Sequence, residues 1–148
     1  MIKQLHTSEY VSVLRELVES GQTVALRIAG NSMAPFLVDG RDSICFHAPD
    51  RPLRRGDMVF YQRKTGQYVM HRIIRVRSDG YYLVGDAQQT IEGPIASEQI
   101  FALVTRVQRK GIWIEETDFW WKFFASFWLT LLPVRHVLIR LYGKWRKN

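Results

Sequence analysis

Two hydrophobic periods divide this chain. Tyr10, Val11, Leu14, Leu17 and Val18 recur at three- and four-residue steps, which puts them on one face of a helix over residues 8–20. Thr7 or Ser8 is its candidate N-cap, and Gly21 lies just past its end. From Gln22 the period falls to two, and short β-branched and aromatic runs alternate with Gly, Pro, Asp and Arg clusters. This predicts strands at 23–28, 43–47, 57–62, 68–76, 81–84, 100–107 and 112–115, the last two joined by a hairpin turn near Arg109-Lys110-Gly111. The turn-rich stretch 85–99 reads as a loop. Past Phe119 the helical period returns, breaks at Pro133 and resumes over 134–145, where Val137, Leu138, Leu141 and Trp145 alternate with Arg135, Arg140 and Lys144. The pattern predicts a mainly β (α+β) protein. Residues 1–118 form one domain, with a β core at about 22–116 behind the N-terminal helix, and residues 119–148 form a helical tail.

Length and composition narrow the class. At 148 residues the chain has room for one ordinary core, and 47% apolar with 24% charged residues excludes disordered and low-complexity classes. Cys45 is the single cysteine, so neither an internal disulfide nor a multi-cysteine zinc site is available. No His or Cys pair has metal-ligand spacing, no phosphate loop is present, and neither cofactor nor metal is expected.

Charge changes the picture of the tail. The net charge of +7 first suggests nucleic acid, yet residues 1–118 hold 15 basic and 14 acidic side chains, whereas residues 119–148 hold six basic ones and no acid. The tail also carries four of the five tryptophans and four of the eight phenylalanines. With a nearly neutral core and no reader motif, nucleic acid is not an expected partner. The longest uncharged run, Phe123 to Val134, is 12 residues. As a helix it covers about 18 Å, against a hydrocarbon core of about 30 Å. Rings beside cations suit the headgroup boundary, so the tail is expected to lie on a membrane surface; the alternative is that the same aromatics cover this protein's own core or a dimer partner. Ser12, Arg15, Glu16 and Glu19 interrupt the only early apolar stretch, so neither a signal peptide nor an N-terminal span is expected, which places the protein peripherally on the cytoplasmic face. Oligomeric state is left open.

Candidate chemistry begins at Gly30-Asn31-Ser32-Met33-Ala34-Pro35. Gly56-Asp57-Met58-Val59 then opens a strand, Met70-His71-Arg72-Ile73-Ile74 lies within another, and Gly85-Asp86 begins the loop after the next. Singly, Ser32 reads as turn material and His71 as a core histidine. Together they supply a hydroxyl, an imidazole and a carboxylate in chain order.

These four blocks, in this order and at about these spacings, resemble the signal peptidase I superfamily over residues 24–108. A histidine rather than a lysine in the third block is similar to the endoplasmic-reticulum, archaeal and spore-former members, within the wider S24/S26-like peptidases. The resemblance implies a twisted, partly closed antiparallel sheet and a serine endopeptidase that cleaves a signal, leader or precursor peptide through an acyl-enzyme. Ser32 would be the nucleophile and His71 the general base, a role that a neutral imidazole suits. The acid would be Asp86 or, six residues later, Glu92; Asp86 is preferred, and one of the pair is free to orient His71 while the other braces the loop. The backbone N–H of Ser32, with the Asn31 side chain, would form the oxyanion hole. Gly30 stands where a serine is common and Ala87 where an asparagine is common. The substrate would bind extended, by edge-strand addition, with small residues beside the cut.

The remaining candidates are weaker. Asp57 is expected to brace a turn, His6, His47 and His136 to be structural or surface groups, and Lys64 not to be the base. Two rivals stand beside the peptidase reading. One is a repressor-type self-cleaving peptidase, which would need a lysine base and a helix-turn-helix domain; the other is a catalytically silent peptide- or lipid-binding module of the same fold. Removing residues 119–148 is expected to abolish membrane attachment without touching peptide-bond chemistry.

Overall fold

The computed structural model describes residues 7–147. His6, and the side chains of Thr7, Ser8 and Tyr10, lie outside the described residues. Helix α1 (Thr7–Glu19) is followed by β1 (Val24–Arg27), β2 (Ser43–His47), β3 (Met58–Gln62), β4 (Tyr68–Arg77), β5 (Gly80–Val84), β6 (Glu92–Ile95), β7 (Ile100–Arg109) and β8 (Ile112–Ile114). All pairings are antiparallel, in the order β1-β2-β7-β3-β4-β5-β6, with β8 paired to β7. The sheet is not closed: β1 and β6 are its ends.

The seven predicted strands are present within two residues of their expected limits. The β7–β8 hairpin turns through Lys110 and Gly111 at φ of 52° and 83°, as a two-residue primed turn requires. The predicted loop at 85–99 is corrected. It contains β6, which pairs with β5, and a 3₁₀ turn at Ser97–Gln99. Pro94 and the absence of alternation hide this strand, and an end position is where a strand proline is tolerated.

Two larger clusters of buried apolar residues form the core. In the first, Val11, Leu14 and Val18 of α1 pack with Met33, Phe36, Phe46, Phe60 and Val107. The second contains Val59, Tyr61, Ile73, Leu83 and Leu103.

The C-terminal segment belongs to the first cluster rather than standing outside it. Helix α2 covers residues 119–130, α-helical at Phe119–Lys122 and Trp128–Thr130 with a π-helical stretch at Phe123–Phe127 between. Trp121, Phe124 and Trp128 are buried in the core, where Phe36 meets Phe124 and Trp121 at ring-centroid distances of 4.8 and 6.2 Å. A short turn containing Pro133 leads to helix α3 (Arg135–Lys147). Burial on the scale of three aromatic side chains thus ties α2 to the β core. Phe119, Trp120, Phe127, Leu141 and Trp145 remain exposed. Among the described residues no helix is long and apolar enough to cross a membrane.

Candidate active site

Ser32 is placed by the turn that leaves β1. Gly30 takes a φ of 87°, and its N–H is held by Asp39 Oδ1 at 2.8 Å, which aims the chain into a turn closed by Ala34 N–H to Asn31 O (3.1 Å) and Leu37 N–H to Met33 O (2.9 Å). Met33, Phe36 and Leu37 are buried beneath it, leaving Ser32 half-buried and Asn31 exposed beside it.

His71 lies in β4 opposite Val59 of β3. Strand β5 pairs with β4 only from Arg72 onward, so among the described residues Tyr68–His71 has a strand neighbour on one side only. That open stretch and the β1 end of the sheet border one groove of about 840 Å³, which both Ser32 and His71 line.

A hydrogen-bonded chain runs away from the far side of the imidazole. Tyr61 Oη lies 3.3 Å from His71 Nδ1, and the Tyr61 hydroxyl donates to Glu92 Oε1 at 2.9 Å. Its single proton being committed to Glu92, Tyr61 accepts at His71, so Nδ1 carries the hydrogen and Nε2 is left with its lone pair. Arg63 grips both oxygens of Glu92 at 2.7 and 2.9 Å.

The electrostatics follow from burial. Desolvation pushes the His71 pKa down to about 4, and the raising effect of the Glu92 charge does not offset it. The imidazole is therefore a neutral acceptor across the physiological range. Burial, then the bond to Glu92, raises Tyr61 far above the ordinary phenol value. Burial opposes ionisation of Glu92, but bonds from Arg63 and Tyr61 hold its carboxyl below the usual range.

Asp86, the acid preferred from the sequence, is bonded to Arg72. Its two oxygens accept from Arg72 Nε at 2.9 Å and Nη2 at 2.8 Å, with both side chains fully buried. Arg72 also donates to Gly56 O at 2.9 Å. Asp86 thus braces the loop, and the acid connected to His71 is Glu92, through Tyr61. Neighbouring strand residues point to opposite faces, which sends Arg72 away from the face His71 uses.

The other candidates lie outside the groove. Asp57 accepts both guanidinium nitrogens of Arg51 at 2.9 Å and the Arg54 N–H at 2.9 Å, bracing the turn before β3. His47 bonds Ala48 O, His136 pairs with Gln89, and Lys64 is exposed in the β3–β4 turn. Among the described residues no three His, Cys, Asp or Glu side chains converge as a metal site.

Sequence reasoning missed Tyr61, Arg72, Trp128 and Arg135. Tyr61 had a signal: a β3–β4 hairpin about Lys64-Thr65-Gly66 sets Tyr61 diagonal to His71 on one face.

A family model described as Peptidase S24-like matches residues 1–107. The match covers well over half of the chain, which belongs to this family. No curated protein and no solved structure matches it.

Proposed function

We propose that this protein is a serine endopeptidase in which Ser32 attacks the scissile carbonyl of an extended peptide and His71 is the general base. The observation that carries this reading is the hydrogen-bonded chain Glu92–Tyr61–His71 behind a groove that His71 and Ser32 both line. Nε2 takes the Ser32 proton as Oγ bonds to the carbonyl carbon, then gives it to the leaving amine as the C–N bond breaks; water completes hydrolysis by the reverse proton path. The imidazolium formed in between is stabilised by Glu92 through Tyr61. The Ser32 N–H and the Asn31 side chain serve the developing oxyanion. Substrate is a signal, leader or precursor peptide, lying as an added strand between β1 and the open part of β4.

The exposed rings of α2 and the apolar positions of α3, set among Lys122, Arg140 and Lys144 with no acid within residues 119–148, favour an anionic membrane surface as the docking site for substrate encounter. Co-sedimentation should be strong with phosphatidylserine vesicles and weak with phosphatidylcholine, and a Leu141→Ser/Trp145→Ser variant should stay in the supernatant.

The decisive experiment is intact-mass labelling with a panel of serine-directed phosphonates and β-lactams. Wild type should gain one adduct, on Ser32, and Ser32→Ala and His71→Ala should gain none. Folded wild type that resists the whole panel would favour the silent peptide-binding module. A repressor-type self-cleaving mode would instead show as loss of mass on incubation without any probe.

A further inference from the structure

The C-terminal segment reaches the proposed nucleophile through one β-turn. Gly85 to Gln88 forms that turn, closed by Gln88 N–H to Gly85 O at 2.9 Å. Three of its four carbonyls accept from side chains of the C-terminal segment. Arg135 Nη2 donates to Gly85 O and to Gln88 O, both at 2.6 Å, and Trp128 Nε1 donates to Asp86 O at 2.8 Å. The peptide that receives the indole at its carbonyl end offers its N–H, that of Ala87, to the carbonyl of Ser32 at 2.9 Å. An unbroken line therefore runs from Trp128 through the Asp86–Ala87 peptide to Ser32, and hydrogen bonds in series polarise one another. There is no slack in it: a Cβ on Gly85 would stand 2.5 Å from the Ser32 carbonyl oxygen.

Arg135 is an expensive way to hold a turn. It is fully buried, its Nη1 has no hydrogen-bond partner among the described residues, and the carboxylate whose charge acts on it, Asp86, gives both oxygens to Arg72. A guanidinium in that position is retained by what it holds, namely the turn carbonyls and the face of Trp128 at 5.8 Å. Arg135 is also the first residue of α3, whose outer positions Leu138, Leu141 and Trp145 are exposed. Whatever seats or displaces α3 therefore pulls on the turn.

We propose that the C-terminal segment is a built-in control element of the Ser32 site: Trp128 and Arg135 are positioning residues that set the 85–88 turn, and through it the Ser32 backbone, so that displacing α3 lowers the reactivity of Ser32. This rests on the peptidase reading above. On this proposal residues 119–148 are needed for the chemistry, which departs from the expectation drawn from the sequence.

The test uses the full chain and two readouts. Amide hydrogen exchange reports Ala87 protection without reference to catalysis, and the rate of Ser32 acylation by a phosphonate reports reactivity. Trp128→Phe keeps a ring and loses the donor; it should lower both about tenfold. Arg135→Ala, which loses those two bonds and a third from Nε to Gln88 O at 3.2 Å, should lower both about 100-fold, and millimolar methylguanidinium should restore acylation. Arg135→Lys should fall between, which keeps the test open where the alanine variant fails to fold. Val13→Ala, at an exposed position of α1, should change neither. Acylation at the wild-type rate in folded Trp128→Phe and Arg135→Lys overturns the control, whatever the exchange shows. A wild type that is never acylated overturns the peptidase reading instead, even where Ala87 protection falls as expected.

Discussion

Two arginine–carboxylate pairs sit near the groove, and they do opposite things. Arg72 and Asp86 are fully buried, and each of the acid's oxygens is met by one guanidinium nitrogen. Arg63 and Glu92 make a similar fork with side chains 32% and 28% exposed, and Glu92 keeps room to accept from Tyr61 as well. A carboxylate closed on both oxygens and sealed from water is a brace. One that is half-open, with a hydroxyl between it and a histidine, can respond when that histidine gains a proton. What separates the roles is therefore strand facing and burial, since both acids are carboxylates met by an arginine.

The largest effect expected from breaking this contrast is on stability. Asp86→Ala leaves Arg72, and Arg135 beside it, without a counter-charge inside the protein, and should cost about 3–5 kcal/mol in urea unfolding. Glu92→Ala removes a partly solvated pair and should cost about 0–1 kcal/mol. Equal losses would erase the distinction.

Acid titration comes next. The unfolded chain protonates His71 near 6.5, while the folded protein resists until about 4. The stability held by the neutral imidazole is thus whole above pH 6.5 and lost as pH falls toward 4, on the order of 3 kcal/mol in all. His71→Gln should flatten that slope. The acid limb of kcat/KM should likewise lie near pH 4, and Glu92→Gln should move it lower, because the Glu92 charge raises the His71 pKa. A limb that stays in place in Glu92→Gln would disconnect the two groups.

The smallest effect is on rate at neutral pH. Tyr61→Phe and Glu92→Gln should each lower kcat/KM about 10- to 100-fold, the size of one hydrogen bond to a charged group at about 1.5–3 kcal/mol. The double variant should be little worse than either alone, since the two act as one unit. Additive losses would show separate routes.

The sheet was legible because its strands alternate, and Ser32, His71 and the two candidate acids stood out because their blocks have an order. What was hidden lay between elements distant in sequence. Arg72 adjoins His71 in sequence, yet its partner Asp86 is fixed only once β4 and β5 pair. Arg135 read as one more cation of an amphipathic helix and is instead among the most buried side chains in the protein. Charge counts along the chain cannot distinguish a solvated arginine from one that caps a turn 47 to 50 residues away.

The open end of the sheet carries one more consequence. Strand β1 is four residues long, about 13 Å of extended chain, and ends in the exposed Arg27. Such an edge is too short to template the stacking of one copy on another, and its cation discourages a second identical edge from approaching. The opposite end, β6, is also four residues and contains Pro94, which offers no N–H. Among the described residues, backbone at both ends of the sheet is thus left unpaired without inviting edge-to-edge pairing of two copies.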